Sequence, residues 1–331
     1  MRQRREKRKR RPRIVVKVDA EALLGSARRP LVLGIGGGGD VVGALATAEA
    51  SRLYAGADPV VGGVAWERRP IDPQPGPRPA EEIAGAEPIA PGVLLAHGDT
   101  RVRESGVLFA ESRMAEFLGE PTVLVDVRPG PRTVAEGLAQ AVERLGCDLT
   151  VFVDVGGDAL AHGHEPGLGS PLCDAVMLAA AVRLEAAGHP VLGAVFGAGC
   201  DGELTLQELS ERLADVAAAG GIAGARGLTP LVAERLEAAV ERIPTEASAQ
   251  ALRAFRGAHG TTSIRNGRRT LELGPAAAGT VYFDISVALR ATARLAVAVM
   301  DAADLDDAND ILNKLGVRTE LDWEIAAAGS A

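Results

Sequence analysis

Short apolar runs alternate along this chain with alanine-rich or amphipathic stretches, and each run empties into a polar loop rich in glycine. Leu31–Ile35, Val60–Ala65, Thr122–Val127, Leu149–Val153 and Val191–Phe196 read as buried strands. Val41–Tyr54, Thr133–Leu145, Leu172–Ala187 and the stretch from about Leu206 to Ala219 read as helices, the second opened by Thr133 and Glu136 at capping-box spacing. Parallel strands need a crossover between them, and a helix supplies it. The expected fold is therefore α/β: a doubly wound, Rossmann-like, mostly parallel sheet with helices on both faces. Residues 228–256 read as a helical substructure in two pieces broken near Pro244. Gly257–Gly279 reads as polar and irregular, Val281–Asp284 as a last strand, and Val287–Ala303 and Ala308–Leu315 as closing helices. The expected organisation is a basic tail and linker over 1–28 and one domain over 29–325. There is no convincing internal repeat.

In open α/β sheets, ligands sit outside the carboxyl ends of the strands, near a reversal in strand order. The glycine-rich polar segments here follow strands, whereas the loops before strands are plainer. This asymmetry places loops 36–40, 66–79, 127–132, 154–171 and 197–203 on one edge and makes that edge the expected site.

The first loop, LGIGGGGD, satisfies G-x-G-x-x-G through Gly34, Gly36 and Gly39, between a strand and a helix. Gly36, Gly37, Gly38 and Gly39 permit close backbone approach to a ligand, and the helix N-terminus offers N–H groups to an anion. Two features weaken a dinucleotide reading. The acid that would hold a ribose, Glu67, comes late, and Asp40 sits where a pyrophosphate needs positive potential. A carboxylate at Asp40 suits a helix cap, a divalent ion or a ligand hydroxyl. The string also looks like the first nucleotide loop of tubulin and the bacterial tubulin-like GTPases. Their second, threonine-containing glycine signature has no counterpart here, so the likeness ends at one loop.

The segment 154–175 gathers Asp154, Asp158, His162, His164, Glu165, Ser170 and Asp174. Asp154 and Asp158 straddle Gly156 and Gly157, and crowded carboxylates need solvent, a cation or bound hydroxyls to satisfy them. Asp154 and Asp158 are the candidate catalytic residues, and Asp40, Asp154 and Asp158 the candidate metal ligands. The His162/His164 pair lacks a zinc-binding context, and Ser170 lacks a nucleophile elbow, so Gly156, Gly157, His164, Glu165, Ser170 and Asp174 are expected as ligand contacts. In GAGCDGEL, Asp201 is the preferred ligand contact; Cys200 reads as a turn residue and Glu203 as a favourable helix start. Trp66, Glu67, Arg68 and Arg69 join the candidate site, with the arginines, Arg78 included, able to clamp a carboxylate or phosphate. GTTSIRNGRR (260–269) offers Thr261, Thr262, Ser263 and Asn266 as ligand contacts, or forms an ordinary hairpin turning at Asn266-Gly267.

Charge and composition exclude some classes. The first thirteen residues hold nine Arg/Lys against Glu6, so the tail carries +8 and the remainder −16 of a total of −8. A tail of this kind could touch nucleic acid weakly through phosphate neutralisation; the plainer reading is a solvated extension. Beyond the tail only Lys17 and Lys314 occur, none near a glycine-rich loop, which removes the lysine-bearing phosphate loop and most Schiff-base chemistry. An aromatic content of 3% argues against base-stacking platforms like those of single-strand binders. No apolar run approaches a membrane span and no signal-peptide core follows the basic start, so a cytoplasmic protein without membrane contact is expected. Cys147, Cys173 and Cys200 are too few and scattered for a disulfide framework.

Together GIGGGGDVVGA, GGVAWERRPIDPQPGPR, DVGGDALAHGHEPGLGSPLCDA and FGAGCDGEL resemble an uncharacterised family, known mainly from archaea and described only as a domain of unknown function. The similarity spans roughly residues 30–325 and implies no activity. From the residues, the expectation is an enzyme acting on a small polar metabolite, phosphorylated or nucleotide-like, with Mg²⁺ or another divalent cation. The alternatives are a non-catalytic ligand sensor whose tail contacts nucleic acid, and an NAD- or flavin-dependent oxidoreductase.

Overall fold

The computed structural model describes residues 18–329, so the basic tail, residues 1–13, lies outside the described residues. In chain order the elements are α1 (Ala20–Ser26), β1 (Pro30–Gly34), α2 (Asp40–Ala55), β2 (Val60–Val64), β3 (Ile83–Ala90), β4 (Val93–Val102), α3 (Ala110–Leu118), β5 (Thr122–Val125) and α4 (Gly130–Leu145). There follow β6 (Leu149–Val155), α5 (Pro171–Ala186), β7 (Val191–Phe196), α6 (Leu206–Ala218), β8 (Ile222–Gly227), α7 (Pro230–Val240) and α8 (Ala247–Phe255). The chain closes with β9 (Gly260–Ile264), β10 (Arg269–Leu273), β11 (Gly279–Phe283), α9 (Ile285–Ala291), α10 (Arg294–Ala298), α11 (Leu305–Lys314) and α12 (Glu320–Ala328).

Nine strands form one sheet in the order β3-β4-β5-β2-β1-β6-β7-β11-β8. The central five, β5 to β7, pair in parallel; β4 and β11 run the other way, which leaves seven strands pointing in one direction. The expected mostly parallel α/β sheet is present, with no barrel closure. The central strands are buried along their whole length because helices cover both faces, and so they read as continuous apolar runs. In β1, Leu31 and Leu33 join the core under α4, α5 and α9–α12, while Val32 joins the core under α2, α7 and α8.

Order reverses between β1 and β6: β1 is followed by β2 on one side, and β6 by β7 on the other. The loops after β1 and β6 therefore diverge and leave a crevice at their carboxyl ends.

Several local readings need correction. Residues 20–26, expected as linker, form α1, capped by Asp19 and seated with Ala20 and Leu24 fully buried. Glu21 pairs with Arg226 on the edge strand β8, so α1 covers that edge. The expected Thr133–Glu136 capping box is absent, because α4 begins earlier, at Gly130 with Pro131 in its first turn. True capping boxes open α6 (Thr205/Glu208) and α12 (Thr319/Asp322). The 257–279 segment is ordered as the β9–β10 hairpin, and Val287–Ala303 is two short helices. The strands β3, β4 and β8 and the helices α3 and α12 went unread: β3 alternates irregularly and contains Pro88, so it lacks an apolar run. No helix among the described residues is long and apolar enough to cross a membrane.

Candidate functional site

A cavity of about 1100 Å³ opens at the crevice between the β1 and β6 loops. Its lining includes Gly36, Gly37, Gly38, Gly39, Asp40, Glu67, Arg68, Arg69, Asp158, Ser170, Asp174 and Asp201, drawn from segments more than 160 residues apart. Four of the five expected loops contribute. Loop 127–132 does not: Gly130 is packed against Asp304, where a Cβ would meet backbone at 2.9 Å, and Arg128 accepts the Leu305 N–H.

Two groups of three carboxylates lie at the floor; five of the six line the cavity, and Asp154 is buried outside the lining. Asp40 (start of α2), Asp154 (end of β6) and Asp174 (first turn of α5) bring oxygens within 4.8 Å of one another. Asp158, Asp201 and Glu203 form the second group at the same spacing. The candidate ligand set Asp40, Asp154 and Asp158 is thus divided: Asp174 completes the first group and Asp158 belongs to the second.

Asp40 does not cap its own helix. Its Oδ2 turns back to accept the Gly36 N–H at 3.0 Å. That approach needs Gly36, since a Cβ there would meet the same oxygen at 2.6 Å. Asp154 accepts the N–H groups of Gly157 (3.3 Å) and Ala159 (3.0 Å), so Gly156 and Gly157 bend the chain around its carboxylate. Both glycines have φ near +120°, and a Cβ on Gly156 would meet the Asp201 carboxyl carbon at 2.2 Å.

Burial, then the neighbouring Asp154 carboxyl, pushes Asp40 up to about 8. Burial pushes Asp154 up to about 6 against the pull of the Ala159 and Gly157 N–H groups. Asp174 lies well above the usual carboxylate range through burial, Asp154 and Asp40, and its Oδ1 has no hydrogen-bond partner among the described residues. At an effective dielectric of about 20, two unit charges about 4.8 Å apart repel by about 3.5 kcal/mol, so three ionised carboxylates here require a countercharge.

The second group has one. Glu203 pairs with Arg269, and Arg265 lies 4.0 Å away. Glu203 also accepts the N–H groups of Gly169 and Ser170, each at 2.8 Å, and the Ser170 hydroxyl. Burial alone would raise it; Arg269 overrides that and holds it at about 2. Beside this charge Asp158 and Asp201 are pushed well above their ordinary values, by burial first and by neighbouring carboxylates second. Asp201 Oδ1 accepts the Glu203 N–H at 3.3 Å, and Oδ2 has no hydrogen-bond partner among the described residues.

Arg68 spans the floor. Its guanidinium donates to the Gly36 carbonyl at 2.5 Å and pairs with Glu320 at 3.2 Å, stacked 4.1 Å over Trp66. Its other terminal nitrogen is buried without a hydrogen-bond partner among the described residues. Trp66 is fully buried and donates to Glu324, so it supports Arg68 rather than facing the cavity. Arg69 donates to the Pro73 carbonyl, and Arg78 is spent inside its own loop, the 66–79 strap, on Asp72 and the carbonyls of Gln74, Pro75 and Gly76. Arg78 is therefore no anion clamp. Glu67, raised by burial to about 7, accepts the Ala110 N–H at 2.5 Å.

Gly156, Gly157, His164 and Glu165 fall outside the cavity lining; the two glycines pack against Asp201 and Leu209 instead. Although Glu165 comes within 4.8 Å of His162 and His164, its carboxylate accepts three backbone N–H groups of its own loop and pairs with Arg212 at 3.2 Å. Cys200 is fully buried and its thiol pushed up to about 12 by burial and Asp201, as a turn residue should be.

The sequence reading missed the cations. In the hairpin, Thr261, Thr262 and Ser263 lie on β9 away from the lining, while the turn turns Arg265, Asn266, Arg268 and Arg269 to the cavity. Arg265 and Asn266 both adopt positive φ, a signal that the Asn-Gly pair carried. It also missed α12, whose residues 320, 323, 324 and 327 line the cavity at helical spacing; the Thr319–Asp322 cap was the available cue.

No curated protein and no solved structure matches the chain. The family model described as "Protein of unknown function (DUF1152)" matches residues 31–328, which takes in every strand but part of β1 and all of the cavity lining, and the chain belongs to that family.

Proposed function

We propose that this protein is an enzyme that binds a divalent cation on Asp40, Asp154 and Asp174 and acts on a small phosphorylated metabolite. One observation carries the reading: Asp174, whose buried Oδ1 lacks a hydrogen-bond partner among the described residues, brings a carboxylate oxygen within 4.8 Å of those of Asp40, which lines the cavity, and of buried Asp154. An all-oxygen donor set with hard carboxylates suits Mg²⁺ or Mn²⁺. The cation would supply Lewis-acid polarisation or an activated water. Arg265, Arg268 and Arg269 face the cavity with Glu203 as their ion-pair partner and Glu246 beside Arg265, which still leaves an excess of guanidinium groups and favours an anionic substrate group there. Asp158, pushed well above the usual carboxylate range by burial and neighbouring carboxylates, suits a general acid.

The oxidoreductase alternative has less support, because Glu67, the acid required for a ribose, is committed to the Ala110 N–H. A reducing, cytoplasmic setting agrees with three free cysteines.

The test is calorimetric titration of metal-stripped protein with Mg²⁺ and Mn²⁺, together with thermal unfolding. Binding with a rise in Tm, both lost in Asp174→Asn while circular dichroism is unchanged, supports the reading. An equal rise in wild type and variant overturns it.

A further inference from the structure

The cavity is not uniformly polar, and its apolar side is built around one side chain. Trp323 lies on α12 between Glu320 and Glu324, on the face that lines the cavity. Its neighbours are engaged: Glu320 accepts the Leu172 and Cys173 N–H groups and pairs with Arg68, and Glu324 accepts the Trp66 indole N–H and the Gly76 N–H. Those bonds lock α12 against the 66–76 strap, which brings Pro70 and Ile71 to the same lining. Trp323 itself remains 51% exposed, although Trp66 and every phenylalanine in the core are sheltered. The Arg318 guanidinium stacks 3.4 Å from the centre of the Trp323 ring and braces it. A large indole left half in water, held in orientation by a helix and a stacked cation, is a flat surface prepared for another flat group.

We infer that Trp323 is a stacking platform for the heterocyclic ring of a nucleoside phosphate, whose phosphates lie toward Arg265, Arg268 and Arg269. This deepens the phosphorylated-metabolite reading above and rests on it. The low aromatic content excludes a row of platforms along a strand of nucleic acid; it leaves room for a single ring. The cavity volume of about 1100 Å³ accommodates a nucleotide with its metal and water. A ring read by its face, with no base-edge contact, gives affinity for nucleotides with little preference among bases.

The experiment compares ATP, CTP and inorganic tripolyphosphate, each with excess Mg²⁺, by calorimetry on wild-type protein and on Trp323→Leu and Trp323→Phe. The expected result is that both nucleotides bind at least tenfold more tightly than tripolyphosphate. Trp323→Leu erases that advantage while leaving the tripolyphosphate Kd within twofold, and Trp323→Phe keeps most of it. Equal binding of nucleotides and tripolyphosphate by wild type overturns the platform and leaves the phosphate reading standing. Parallel loss of both ligands in Trp323→Leu overturns it too, by showing a structural role. Absence of binding by all three ligands overturns both readings together.

Discussion

The two carboxylate groups on the cavity floor have the same size and spacing and opposite electrostatic histories. Around Asp158, Asp201 and Glu203, the protein supplies its own countercharge: Arg269 and Arg265 hold Glu203 low, while burial and neighbouring carboxylates push the two aspartates well above the usual carboxylate range. Around Asp40, Asp154 and Asp174 the nearest guanidinium, Arg68, is committed to Glu320 and the Gly36 carbonyl. Each group keeps one buried oxygen without a hydrogen-bond partner among the described residues, Asp201 Oδ2 in one and Asp174 Oδ1 in the other, but only the group of Asp158, Asp201 and Glu203 has an ion pair among the described residues. Like residues at like distances therefore acquire different chemistry from which cation the fold brings near them, and on the reading proposed above the group without an ion pair is the one that takes a metal ion.

That contrast can be broken experimentally. The largest expected effect is on metal affinity: Asp154→Asn weakens Mn²⁺ binding at least a hundredfold, whereas Asp201→Asn changes it less than fivefold, measured by calorimetry. The reverse order would assign the metal to the other group. Next, Glu203→Gln leaves Arg269 beside a cavity without its partner. The expected loss is about 2 kcal/mol in denaturant unfolding, below the usual figure for a broken buried pair because Arg269 keeps some solvent contact.

A pH series sharpens the contrast further. Asp154 and Asp40 have folded values raised to about 6 and about 8, so between pH 4 and pH 8 the metal-free folded state holds more protons than the unfolded chain. Stability then falls as pH rises, with Asp154's share lost up to about pH 6 and Asp40's up to about pH 8. Each group contributes a slope of at most about 1.4 kcal/mol per pH unit. Saturating Mn²⁺ should flatten this slope, since the ion favours the deprotonated ligands; an unchanged slope counts against the site. The smallest effect concerns the thiols. Burial pushes Cys173 and Cys200 upward, so a thiol reagent at pH 7.5 should modify at most Cys147 before unfolding, and rapid labelling of Cys200 would show that the second group opens to solvent.

Much of the fold was legible because the central strands are buried on both faces. Leu31–Ile35, Leu149–Val153 and Val191–Phe196 are buried on both faces and are apolar apart from Thr150 and their glycines, and a crossover must separate parallel neighbours. The flanking strands were not legible for the complementary reason. β3 and β8 are the two edge strands and are only partly buried, so their residues carry no continuous apolar signal; β3 is completed by the adjacent β4 and β8 by the distant β11. His164 and Glu165 show the limit of reading a site by residue type. They stand among catalytic-looking neighbours in sequence, yet the loop consumes the Glu165 carboxylate to hold its own backbone.

The sequence by itself determined that Gly36–Asp40, Asp154–Asp158 and Asp201 follow strands, and parallel strands of one sheet deliver such loops to a common rim. Only the tertiary structure decided that Asp174 joins Asp40 and Asp154, that Arg269 neutralises Glu203, and that α12 brings Trp323 to the cavity. The reason is range. Helix and strand signals arise between residues a few positions apart, whereas the charge state of a carboxylate depends on what lies within several ångströms in space, and strand order sets those neighbours.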